Sequence, residues 1–536
     1  MDIFVIGIGG TGMRCIEAFT HLCAIGMFDK TDVHLLALDT DKENGNFTRL
    51  KNLKDAYLKT KSLDEKKRTT LENTFFSANL HYYEFSPDYS RKSTFEGLYN
   101  YKFSEPEEKA IADLLFTNDA KAFDLKHGYR AQTHLGSMLM YHSIINDIKT
   151  NNKSDLRRFI QKLITTSTSS SKPRVFIMGS VFGGTGASSI PIIPKAIGDA
   201  AKIISNATGI GSNTYFGATL LTSYFSFPLP NENERRDQRI IASSDKFALN
   251  SQAAMMFYEA DKTVKKTYQK FYMMGTDDMK PVCANGKEVK DQTVTGGETQ
   301  ENDSHYIELL AAFAAYHFFN SPETGVYDGQ LKGLAVLKAN EEVEYLYRPF
   351  DDEGKMDFID FVSTDKKDEL AKKLGMFTAM SFLVNLKYYN FFEAAQSGDL
   401  RTVHIEGYEN IDKYEIDALK SYMSLYHFGI NGVVKDGWLR QVHRSTGGGD
   451  NFLLNSSLFG CKTENELKKF GFNNALYKKD SGFETYRFKV GITSNIISTF
   501  KNHFIKTEEA TSITNMNEKL IKRVYDTLCK LYNFNS

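Results

Sequence analysis

Val175-Phe176-Ile177-Met178, leading to Phe182-Gly183-Gly184-Thr185-Gly186-Ala187-Ser188, decides the fold, because an unbroken apolar run empties there into a glycine loop. A short apolar run bounded by turn residues is the pattern of a strand buried on both faces, as strands of parallel sheets are. Behind the loop a helix is expected from near Ser189, with Pro191 in its first turn, where the missing N–H is no loss. The chain opens on the same device. Ile3 to Ile6 runs into Gly7-Ile8-Gly9-Gly10-Thr11-Gly12, after which Ile16, Phe19, Leu22 and Cys23 recur at helical spacing. A second apolar strand, Val33 to Leu38, ends on Asp39-Thr40-Asp41, completing a βαβ unit with a parallel pair. The expected class is α/β, a parallel sheet flanked by helices.

A helix N-terminus presents backbone N–H groups without intrahelical partners and the positive end of the helix dipole, so a phosphate is stabilised there. Gly7 to Gly12 matches G-x-G-x-x-G, and Asp39 stands where a dinucleotide-binding fold places its ribose carboxylate. That loop alone leaves NAD or FAD binding and a purely structural turn both open. The second loop shifts the weight, since a Rossmann unit needs one phosphate loop, and two can hold one phosphate chain from both sides.

The chain of 536 residues far exceeds the roughly 150 of an average domain, so a second domain is expected. With 66 basic and 67 acidic side chains there is no net field toward nucleic acid or an anionic membrane, and neither is expected as a partner. Five cysteines without a C-x-x-C encode neither a disulfide framework nor a zinc site and suit a reducing cytoplasm. No export signal is read at the start. The longest apolar stretch, Tyr306 to Phe319, holds Glu308 and His317 and falls short of the roughly 20 residues that cross a bilayer, so it reads as a buried helix.

Asn44 to His127 is polar and lysine-rich, with one clear helical period at Glu107 to Leu115, and reads as an insertion without visible chemistry. Gly128 to Gly136 follows, with a helix from about Ser137, and then a serine–threonine linker, Thr165 to Ser171. Phe216 to Phe227 and Lys270 to Met274 are strand-like, and Arg235 to Phe257 is helical. The pattern becomes mixed from Asn320, with helices expected at Met376 to Phe392 and Asn517 to Leu531 and a strand at Glu484 to Val490. The division is therefore a nucleotide domain over 1–320, with 44–127 inserted, and a mostly helical domain over 321–536.

This order of pieces resembles the tubulin/FtsZ superfamily over roughly residues 1–320. The strand Val175 to Met178, Gly183 to Gly186 and Pro191 look like that family's signature strand, loop and helix, and Gly9, Gly10, Thr11 and Gly12 like its first loop. Asp39, Thr40 and Asp41 resemble its second loop, near metal and phosphates, and Gly128 to Gly136, with Ala131 and Gln132, its third, which senses the terminal phosphate. Thr222 to Arg236 is similar to the strand and ribose loop, which would bring Glu232 and Arg235 to the ligand. Asn302 to Phe319 would be the central helix whose start reads the base, with Asn302 and His305 as the base residues. The resemblance implies GTP or GDP with magnesium, self-assembly into filaments, and a GTPase activity that the sequence leaves open.

Three departures qualify it. Ser188 stands where the family has glycine, and serine tolerates positive φ poorly. Arg14 replaces an amide and either contacts phosphate or points to solvent. The family's acidic loop after the central helix, which positions the attacking water in a neighbour's site, is missing, leaving Glu323 and Asp328 as candidates by residue type. A further reading is a scaffold that never hydrolyses nucleotide and recruits a protein partner through the C-terminal domain. His305 and Glu308, three apart, suit either a metal or a helix cap, and Asn302 either the base or the helix N-cap.

Overall fold

The computed structural model describes residues 2–61, 72–126, 128–167, 172–207, 209–229, 243–276, 279–284, 287–290, 296–298, 300–321, 335–339, 343–347, 364–385, 413–428, 437–445, 476–479, 486–490, 494–513, 516–531 and 534. Eight strands form one sheet: β1 Asp2–Ile8, β2 Asp32–Leu38, β3 Asn79–Phe85, β4 Arg174–Met178, β5 Tyr215–Leu221, β6 Tyr268–Met274, β7 Ala335–Ala339 and β8 Val343–Tyr347. Their order is β7-β8-β6-β5-β4-β1-β2-β3. The six strands from β3 to β6 are parallel, β8 extends them in parallel beside β6, and β7 closes that edge antiparallel.

The helices that flank the sheet are α1 Gly9–Ala24, α2 Gly45–Thr60, α3 Thr133–Thr150, α4 Asp155–Thr166, α5 Gly184–Ser189, α6 Ile193–Ser205, α7 Phe247–Ala260 and α8 Tyr306–Asn320. Side chains alternate across a strand, and the core divides accordingly. Ile3, Val5 and Phe176 join the layer of α1, α2 and α8, whereas Phe4, Ile6, Ile8, Val175 and Ile177 join that of α3, α4 and α6. Both faces of the central strands are covered, which is why they read as continuous apolar runs. The order 3-2-1-4-5-6 within this sheet is that of a doubly wound fold, and it reverses between the adjacent strands β1 and β4.

The segment read as an insertion over 44–127 is built into the sheet. It supplies α2, which packs on α1, and β3, in parallel register with β2 from Asp32 opposite Asn79 to Leu38 opposite Phe85. As the edge strand β3 is only partly covered, so its sequence Asn-Leu-His-Tyr-Tyr-Glu-Phe lacks an apolar run. The helix after the second loop also differs from expectation. It starts at Gly184 inside the loop and stops at Ser189, and a new helix begins at Ile193.

Beyond residue 320 the described helices are α9 Thr364–Asn385, α10 Lys413–Met423, α11 Trp438–Ser445, α12 Ile496–Ile505 and α13 Met516–Leu531, with a small antiparallel sheet at 476–479, 486–490 and 494–495. They are not a separate core. Phe377, Tyr422, Trp438 and Tyr525 share the layer of α1 and α2, with the Phe75 and Phe377 ring centroids 5.1 Å apart and those of His21 and Trp438 4.5 Å apart. Among the described residues no helix is long and apolar enough to cross a membrane.

Candidate functional site

In open parallel sheets a ligand crevice forms beyond the carboxyl ends of the strands where the order reverses. Here that point lies between β1 and β4, and both strands deliver a glycine loop to it. One cleft of about 130 Å³ is lined by Gly9, Gly10, Thr11 and Arg14 from the first loop and helix, and by Gly183, Gly184, Thr185 and Gly186 from the second. Asp39 and Asp41, from the end of β2, and Gly128 to Arg130 complete its walls. Thr40 Oγ1 lies 3.4 Å from Thr185 Oγ1, tying the β2 loop to the second glycine loop.

Two close approaches make this geometry depend on glycine. A Cβ on Gly12 would stand 2.6 Å from the carbonyl carbon of Gly7 and 2.8 Å from the Met178 oxygen, so α1 starts pressed against both strands. A Cβ on Gly184 would meet the backbone nitrogens of Ala131 and Arg130 at 2.7 and 2.8 Å, so the second loop packs directly on the third. That third loop bends sharply, with positive φ at Gly128, Arg130 and Ala131. Ser188 is free of the strain expected of it. It is helical and its hydroxyl donates to the Thr185 carbonyl at 3.0 Å.

The cleft brings together two helix starts, two carboxylates and the Arg130 side chain. Neither α1 nor α5 has a side-chain cap or an acidic residue in its first turn, and Gly9, Gly10 and Gly184 to Gly186 from their first turns line the cleft. Asp39 is buried. Its Oδ1 accepts from the Asp41 N–H at 3.3 Å, while Oδ2 has no partner among the described residues. Burial, reinforced by the neighbouring Asp41 carboxylate, pushes its pKa up to about 7. Asp41 is better satisfied, accepting from the N–H groups of Glu43 at 3.1 Å and Gly297 at 2.7 Å.

Arg14 neither points to solvent nor offers its full fork to a ligand. Its Nε donates to Glu308 Oε1 at 2.5 Å and Nη2 to the Tyr224 hydroxyl at 2.5 Å, while that hydroxyl donates to the same Glu308 oxygen at 2.7 Å. Burial opposes its charge, but Tyr224 and Glu308 hold its pKa above the ordinary value.

Arg14 and Phe225 also border a second cleft, of about 270 Å³, which continues past Tyr224 and Val282 to Asn302, Ser304, His305, Gln441 and Ser445. The predicted base residues Asn302 and His305 therefore sit together, next to the first cleft. The helix cap belongs to His305 rather than Asn302: its Nδ1 accepts from the Ile307 N–H at 3.3 Å, and Glu308 Oε2 accepts from its own N–H at 2.9 Å. That capping box absorbs the His305–Glu308 spacing. Among the described residues no cluster of three or more His, Cys, Asp or Glu is arranged to hold a metal.

Other expected residues fall elsewhere. Gly12 lies beneath the first loop rather than at the cleft surface. Ala131 and Ala187 line a neighbouring cleft with His134 and Tyr258, and Gln132 turns into the third loop, its N–H on the Tyr129 carbonyl at 2.8 Å. Glu232, Arg235, Glu323 and Asp328 lie outside the described residues. In their place the structure brings in residues that the sequence did not single out. Arg130 lines the first cleft, its guanidinium pKa lowered by burial, and Asn44 links to Gln300 across it through an Nδ2–Oε1 bond of 2.8 Å. Only Asn44 carried a local signal, as an N-cap residue immediately before α2.

Fold and cleft define a doubly wound α/β protein with a crevice at its switch point, walled by two glycine loops and two carboxylates. Comparison with protein-family models, with curated proteins and with solved structures returns no match.

Proposed function

We propose that the chain binds a guanine nucleotide, GTP or GDP with Mg²⁺, in the manner of the tubulin/FtsZ superfamily it resembles. It assembles with itself and turns nucleotide over slowly or only with a partner. The observation that carries this reading is the convergence of the two glycine loops, one at the end of β1 and one at the end of β4, on one cleft that also holds the buried Asp39 oxygen without a hydrogen-bond partner among the described residues. The phosphates lie against Gly9 to Thr11 and Gly183 to Gly186, with Arg130 beside them. Mg²⁺ fits Asp39 and Asp41, because it takes one or two carboxylates and fills its remaining positions with phosphate oxygens and water. The base enters the second cleft, against Tyr224, Phe225 and His305, where the Asn302 amide can both donate and accept. By the same resemblance, Glu323 and Asp328 of an adjoining copy are the candidates for orienting the attacking water.

A second reading, a dinucleotide-binding enzyme, draws on the 3-2-1-4-5-6 strand order and on Asp39 at the end of β2, where a ribose hydroxyl would meet its free oxygen. Mass analysis of nucleotide released from the purified protein by denaturation separates the two. GTP or GDP is expected, with binding weakened by chelation of divalent cations. Recovery of NAD or FAD, or affinity for GTP indifferent to chelator, would overturn the guanine-nucleotide reading.

A further inference from the structure

The second cleft is closed by a helix from far along the chain. Helix α11 is anchored by Trp438 and Leu439, both fully buried, and the Trp438 ring packs on His21 of α1. From that anchorage Gln441 Oε1 accepts the N–H of Ser304 at 2.8 Å. The Ser445 hydroxyl accepts the N–H of Tyr306 at 2.9 Å and donates to the Val442 carbonyl at 2.6 Å. Tyr306 is the first residue of α8, so its N–H has no acceptor within that helix. On its other side the same loop is held by Arg49 of α2, whose Nη1 donates to the Asn302 carbonyl at 3.2 Å and Nη2 to the Ser304 hydroxyl at 2.8 Å. Residues 302–306 are thus slung between α2 and α11, and they carry Asn302 and His305 into the cleft.

We propose that Gln441 and Ser445 are positioning residues for the planar base of the bound nucleotide: helix α11 fixes the loop that reads the base, and so sets affinity at that end of the ligand. The inference rests on the nucleotide reading above. Its physical ground is that Ser304 and Gln441 are both buried, so water does not readily replace a lost acceptor, and an N–H left bare there shifts the loop. Linkage makes the effect reciprocal. A ligand that needs the loop in place favours docked α11, and anything that draws α11 away weakens the ligand.

The test is titration of the full-length protein with GTP and with inorganic tripolyphosphate, which has the phosphates without the base. Gln441→Met removes the acceptor at similar volume and is expected to weaken GTP about tenfold, with tripolyphosphate affinity unchanged. Ser445→Ala should act in the same direction, and Ser445→Thr, which keeps the hydroxyl, should bind as the parent does. Circular dichroism identifies any variant that fails to fold, and the milder Ser445 pair then carries the comparison. Equal losses for GTP and tripolyphosphate in a folded variant, or GTP affinity unchanged in both Gln441→Met and Ser445→Ala, would overturn the proposal. A parent protein that binds neither ligand would instead remove the nucleotide reading, and this inference with it.

Discussion

Asp39→Asn should stabilise the ligand-free protein at neutral and alkaline pH while weakening binding of a metal-bound nucleotide. The folded protein holds the Asp39 pKa near 7, against an ordinary 3.8, chiefly because burial penalises its charge. Below pH 3.8 the carboxyl is protonated in folded and unfolded chains alike and adds no pH dependence. Between 3.8 and about 7 the folded state keeps a proton that the unfolded state has released, so stability falls as pH rises through that window. At 1.36 kcal/mol per pH unit the full penalty, reached above pH 7, is about 4 kcal/mol. Asparagine keeps the shape without the charge and escapes it. Urea denaturation of both proteins across pH 4–8 should show a stability difference that grows from near zero to about 4 kcal/mol. Mg²⁺ with nucleotide should narrow that gap by stabilising the parent alone. A difference that stays flat with pH, or an asparagine variant less stable than the parent at pH 8, would refute the assignment of Asp39 as a buried carboxylate waiting for a cation.

Arg14→Met leaves Glu308 buried without its cation and should destabilise the fold by about 3–5 kcal/mol, with much of the loss recovered in Arg14→Met/Glu308→Gln. Denaturant titration checks this, and strictly additive losses would refute the network. Gly184→Val should abolish GTP binding because its Cβ strikes the backbone of Arg130 and Ala131 and displaces the third loop. Unchanged affinity for labelled GTP in that variant would sink the site assignment. Phosphate release should be slow and rise more than linearly with protein concentration, and Glu323→Gln and Asp328→Asn should slow it, since water-orienting groups contribute about 10²–10⁴-fold. A fast rate, first order in protein and indifferent to both substitutions, would point to a catalytic group within the same chain.

The strands that bracket the site are legible in the sequence because burial on both faces leaves Ile3 to Ile6 and Val175 to Met178 as apolar runs, each followed directly by glycine. β3 is not legible. An edge strand needs no apolar run, and Asn79, His81 and Glu84 give it a polar cast although it pairs along its whole length with β2. The start of α5 is hidden for the opposite reason: Gly184, Thr185 and Gly186 are poor helix formers, and tertiary packing against the third loop overrides their propensity. Asn302 has the chemistry of an N-cap, but the helix begins after His305, whose ring nitrogen does the capping. The contributions of Gln441 and Ser445 could not be read at all, since they act across more than 130 residues of chain on backbone N–H groups that leave no mark on local pattern.

The central position of β1 has a consequence for synthesis. One edge of β1 pairs with β2, which ends at Leu38, but its other partner, β4, ends only at Met178. At roughly 5–20 residues per second the ribosome takes on the order of 10–30 s to make the stretch between them. Throughout that interval a nascent β1–β2 pair would present an open edge on a largely apolar strand, the feature most prone to wrong pairing with other chains. Helix α8, which covers the first helix on the same face, emerges later still. The demand for chaperones should therefore concentrate between the synthesis of β2 and that of β4, before the two glycine loops come together.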